Sequence, residues 1–114
     1  MNFQRYISWV QRALRDFEAF PLEVQTDAAG ALQLAARGKK ATTAKPFKGV
    51  GSGVFEIVLR HRGDAYRVIY DVQAGDAVWV VHVFKKKSKS GIKTPQFEVD
   101  LIRERLKRLK EALK

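Results

Sequence analysis

The chain's 114 residues suffice for one two-layer core but not for two domains, and its 46% hydrophobic, 30% charged composition is that of an ordinary globular protein. It has no cysteine, which excludes disulfides, thiolate chemistry and zinc–cysteine sites, and no leader pattern or apolar run near the ~20 residues of a membrane span, so a soluble cytoplasmic protein without a membrane partner is expected. The formal charge of +10 is lopsided: residues 85–114 carry 11 Lys and Arg against 4 acids and residues 1–84 carry 11 against 8, which favours nucleic acid as partner over an acidic protein or an anionic membrane surface.

In chain order, residues 3–10 mix β-branched and aromatic side chains and predict a short strand, with a continuous helix through Leu14 as the alternative. Residues 11–19 are helix formers, ended by Phe20-Pro21. A second, amphipathic helix follows over 22–37, where Val24, Ala28, Ala31, Leu32 and Ala35 recur at three and four, closed by Gly38. The two should form an antiparallel hairpin. Residues 39–52 read as loop, and their glycines lack the spacing of a phosphate-binding loop. Residues 54–60, 66–72 and 78–84 read as an antiparallel meander with turns at Arg62-Gly63-Asp64 and Ala74-Gly75-Asp76. A last helix should begin with Thr94 as N-cap and Pro95 as its first residue. Its buried stripe is Val99, Ile102, Leu106, Leu109 and Leu113, beside a basic stripe of Arg103, Lys107, Lys110 and Lys114. The fold class is α+β, in one domain over residues 1–114, with the hairpin and the last helix on a small twisted antiparallel sheet.

Alternation splits the strands into two faces. Phe55, Ile57, Leu59, Tyr66, Val68, Tyr70, Trp79, Val81 and Val83 form the expected core face, covered by all the helices. The opposite, open face then brings together Glu56, Arg67, His82 and Lys86. RNA cleavage through the 2′-hydroxyl needs a base, a cation for the phosphate and an acid for the leaving oxygen, and needs no metal or other cofactor. Arg67 suits the phosphate; His82 suits acid–base work near neutral pH; Glu56 suits either orienting His82 or acting as base. Lys85, Lys87, Lys89, Arg60, Lys45, Lys48, Arg103, Lys107 and Lys110 are candidates for holding RNA or the ribosome. Each residue has a plainer role too: Glu56 and Arg67 as a cross-strand ion pair, His82 as a structural histidine, the lysine run as a charged gatekeeper.

The blocks VFEIV, AYRVIYDV, VWVVHVFKKKSKSGIKTP and DLIRERLKRL, preceded by AFPLEVQ and AKPFKGVG, occur in the order of the HigB-like branch of the RelE/ParE toxin superfamily. The chain resembles that branch from about Phe17 onward. The resemblance implies a type II toxin that cuts mRNA at translating ribosomes without metal, neutralised by an antitoxin that often carries a helix-turn-helix domain. It also implies that Arg67, in the Y-R-x-x-Y strand, acts on the scissile phosphate and that Lys86 is a second basic residue of the site. Two departures stand out: Glu56 and Val58 occupy the places of two strand lysines of RelE, and no tyrosine near Ile92 matches its base-stacking tyrosine. A gyrase poison of the ParE type and a non-catalytic RNA-binding domain are the competing functions.

Overall fold

The computed structural model describes residues 4–87 and 93–114. In chain order these form β1 (Ile7–Trp9), α1 (Gln11–Glu18), α2 (Leu22–Ala36), β2 (Ala44–Pro46), β3 (Val54–His61), β4 (Asp64–Asp71), β5 (Val78–Lys87) and α3 (Gln96–Ala112). The sheet order is β1-β5-β4-β3-β2, with every pairing antiparallel except β1 with β5. The α+β class, the helical hairpin and the three-strand meander agree with expectation.

Several expectations need correction. The first strand is confined to three residues and runs parallel to β5, because α1 starts at Gln11 and leaves only a short extended segment to pair. The supposed loop over 39–52 contains β2, whose Lys45 pairs with Glu56; Pro46 is tolerated because β2 is an edge strand with no neighbour beyond it. β5 extends through Lys85 and Lys86 instead of stopping at Phe84. Pro95, with extended φ and ψ, is the N-cap of α3, and no side chain caps that helix, so Thr94 does not act as foreseen. The β3–β4 turn is a two-residue connection in which Arg62 and Gly63 both take positive φ, 50° and 85°, the twist that a tight hairpin requires.

The largest correction concerns layers. The helices do not share one face: α2 and Phe17 of α1 pack on Ile57, Leu59, Tyr66, Val68, Tyr70 and Val83, whereas α3 places Ile102, Leu106 and Leu109 on the opposite side against Val54, Ile69, Val81 and Phe84. The sheet is therefore an inner layer. A β-bulge explains why the alternation drawn through β5 fails: Ile69 lies opposite His82, but Tyr70 lies opposite Val80, so Val81 is an extra residue. Val78 and Val80 consequently enter the hairpin core, while Trp79 and Val81, expected there, belong to the α3 side.

Candidate functional site

Three charged side chains lie diagonally across β3, β4 and β5 on the α3 side of the sheet. Glu56 is opposite Ile69, Arg67 is opposite Phe84, and Lys86 is opposite Ala65, so each is offset by two residues from the next, within reach of long side chains. One Arg67 guanidinium nitrogen donates to Glu56 Oε2 at 3.0 Å, and Lys45 Nζ stands 3.5 Å from Glu56 Oε1. The cross-strand ion pair is thus formed, with Glu56 and Arg67 only 5% and 8% exposed. Among the described residues, Arg67 Nε has no hydrogen-bond partner. Lys86, 5% exposed, donates through Nζ to the Lys93 carbonyl at 2.5 Å. Burial first, and then the positive charge of Arg67, hold its ammonium below the ordinary lysine value, with Glu56 acting the other way. Two cations, Lys45 and Arg67, thus pair with one carboxylate, and a third, Lys86, stands beside them on a neutral carbonyl.

His82 lies on the same side but in a different setting. Its Nε2 is 2.7 Å from Glu98 Oε1, and Arg105, which also donates to the Val81 carbonyl, approaches Nδ1 at 2.8 Å. A guanidinium only donates, so Nδ1 is the acceptor and Nε2–H faces the carboxylate. Both ring nitrogens are engaged and the residue is 3% exposed. Burial lowers the His82 pKa, opposed by the hydrogen bond and charge of Glu98 and assisted by Arg105. Glu56 does not orient this ring; its carboxylate is taken by Arg67 and Lys45, and Glu98 of α3 does so instead. A cavity of about 530 Å³ adjoins the group, lined also by Arg12 and Asp16 of α1.

The structure gathers some of the remaining cations and separates others. Arg60 is in register with Ala65 and hence in a row with Lys86, while Lys45 flanks Glu56, so both extend the Arg67 corner. Lys85 points to the other face and pairs with Asp64 at 3.8 Å. Arg103 donates to the Gly49 carbonyl at 3.0 Å, so α3's basic edge lies over the β2–β3 connection, where Lys48 is exposed; Lys107 and Lys110 are exposed on that edge. The side chain of Lys87 and the whole of Lys89 lie outside the described residues. Glu98 and Arg105 escaped the sequence reading, although a signal existed: Glu98, Ile102, Arg105 and Leu109 recur at four and three, so two charged residues fall in phase with the buried stripe and need a polar partner.

A sequence model of the "Phage derived protein Gp49-like" family matches residues 15–107. No curated protein sequence matches significantly. Among solved structures, a free-state arginine-to-alanine double mutant of the Escherichia coli toxin RelE superposes with a TM-score of 0.62 at 19% identity, covering 92% of this chain and 97% of RelE. Isolated E. coli RelE gives 0.57 at 20% identity, with 88% and 98% covered. The toxin–antitoxin complex RelBE2 of Mycobacterium tuberculosis gives 0.50 at 18% identity, with 77% and 97% covered. With the family model matched over most of the chain and RelE superposing over 92% of it, the chain belongs to the Gp49-like phage-derived protein family and has the RelE toxin fold.

Proposed function

We propose that this protein is the toxin of a type II toxin–antitoxin pair and cleaves mRNA on the ribosome, in the cytoplasm. The observation that carries this reading is the Arg67 corner: a buried guanidinium whose Nε–H has no partner among the described residues, beside a lysine of lowered pKa, in a cluster with more positive than negative charge. A phosphodiester supplies what that cluster lacks. Arg67 holds a nonbridging oxygen, and Lys86 exchanges the Lys93 carbonyl for the phosphate. The 2′-oxygen attacks the adjacent phosphorus and the bond to the 5′-oxygen breaks, leaving a 2′,3′-cyclic phosphate and a 5′-hydroxyl. Glu56, which positions Arg67, is the nearest carboxylate to take the 2′ proton, and Lys86 gives one to the departing 5′-oxygen. Charge on the phosphate in the transition state is met by cations already fixed in place. His82 acts at a distance, by fastening α3 to β5.

The RelBE2 toxin–antitoxin complex supports an antitoxin as natural partner. A small helix-turn-helix protein encoded beside this chain is the expected form. Induction in cells followed by mapping of mRNA 5′ ends tests the proposal: new ends in phase with the reading frame are expected on translated messages. Growth arrest with intact messages and altered DNA supercoiling would replace it with gyrase poisoning.

A further inference from the structure

A second charged region lies on the hairpin side of the sheet, away from Arg67. A cleft of about 260 Å³ opens between the end of α2 and the sheet. Its walls are Ala35, Phe55, Val72 and the Tyr70 ring, which stacks on Phe55 at 5.5 Å between centroids. Arg5, Lys39 and Lys40 stand around it, and no acidic residue lines it. Two of these cations are held in place by neutral groups: Arg5 donates to the Val72 carbonyl, and Lys40 Nζ donates to the Ala44 carbonyl at 2.9 Å. Every Asp and Glu of the chain lies among the described residues, and none forms an ion pair with Arg5, Lys39 or Lys40. The fold thus fixes an apolar recess among three charges that it does not neutralise.

We propose that this cleft is a docking socket for an acidic segment of the antitoxin, with one large aliphatic or aromatic side chain in the recess and flanking carboxylates on Arg5, Lys39 and Lys40. The identity of the partner rests on the toxin reading; the chemistry of the socket does not. Charge complementarity selects an anionic partner. The apolar walls select a hydrocarbon side chain over a nucleobase, whose polar edges would lose their hydrogen bonds to water there. The socket also faces away from Arg67 and Lys86, so RNA cleavage and antitoxin docking use different sides of one sheet.

The test is a titration of isotope-labelled protein with the capped peptide acetyl-EELEE-amide, followed by amide NMR shifts. Saturable shifts at Gly38, Lys39 and Val72 are expected. Binding should weaken about tenfold or more in the Lys39→Glu/Lys40→Glu variant and with salt raised from about 0.05 M to about 0.5 M. Both lysines are exposed, so the fold should tolerate the change. The peptide acetyl-EEAEE-amide should bind more weakly, having no side chain for the recess. Absence of shifts at these amides, equal binding by the charge-reversed variant, or equal binding by the alanine peptide overturns the socket. Pentauridylate moving the same amides more strongly would assign the cleft to RNA instead. Cleavage assays on the charge-reversed variant separate the two readings: retained cleavage with lost peptide binding supports both, whereas peptide binding by a wild-type protein that cleaves nothing would retain the socket and remove the nuclease.

Discussion

The Arg67 and His82 clusters occupy one side of the same sheet, and each brings a carboxylate, a guanidinium and a titratable nitrogen base out of water. Around His82 the donors and acceptors match: Glu98 takes Nε2–H, Nδ1 takes Arg105, and one negative charge meets one positive charge. Around Arg67 they do not match: Lys45 and Arg67 both pair with Glu56, Lys86 has only the Lys93 carbonyl, and among the described residues a guanidinium N–H is left over. The difference teaches that a titratable residue in a strand marks a site only when its hydrogen-bonding capacity is unspent. A fully satisfied group fastens elements together.

The strongest way to break that comparison is Arg67→Ala. RNA cleavage should fall by ~10²–10³, and stability should drop by about 3–5 kcal/mol because Glu56 is left buried opposite only the exposed Lys45. Adding Glu56→Gln should restore most of the stability and none of the cleavage, as read by denaturant melts and an RNA assay. Wild-type cleavage by the double variant would deny the corner its role.

His82→Leu is the converse experiment. It should cost about 1–3 kcal/mol, since Glu98 and Arg105 lose their shared partner, yet cleavage by the folded protein should change less than tenfold. The pH dependence has a definite sign. Burial lowers the folded-state pKa of His82, so the unfolded chain binds the proton more readily. Stability should decline as pH falls below about 6.5 and level off below the folded-state value; a His82→Gln variant should lose that slope in urea melts at several pH values.

Lys86→Met should reduce cleavage by ~10², the lower end of what a positioned general acid contributes. In the wild type the rate should fall as pH rises through the lowered pKa of Lys86, and the variant should lack that limb. The smallest effects belong to the exposed cations: Lys45→Ala or Arg103→Ala should leave folding unchanged and lower the slope of log affinity against log salt, for RNA or ribosome, by about one phosphate contact each.

Much of this architecture was legible in the strand alternation of residues 54–71 and in the helix stripe of Ile102, Leu106 and Leu109. What escaped has local physical reasons. Val80 and Val81 are chemically alike, so nothing in the letters marks which one is extra, and the phase drawn through β5 before the bulge came out reversed. β2 is too short to show a period. The second covered face had left a trace in Ile69 and Phe84, apolar residues on a side taken as open, but alternation alone does not say which helix will cover them. At the site, Glu56, Arg67 and Lys86 were placed together by strand phase, whereas the partners of His82 come from a helix distant in sequence and required its rotation to be known.

The sandwiching of the sheet also bears on when the molecule becomes complete during synthesis. α1, α2 and the five strands leave the ribosome before α3, and with them the hairpin-side core is already present. The side bearing Arg67 is not, for the cluster around Ile69, Val81 and Phe84 lacks Ile102, Leu106 and Leu109 until α3 has emerged and docked. The hairpin-side core therefore draws only on elements that precede α3, whereas the cationic corner needs α3 as well. The side bearing the Arg67 corner is thus the last part of the molecule to be completed as the chain is made.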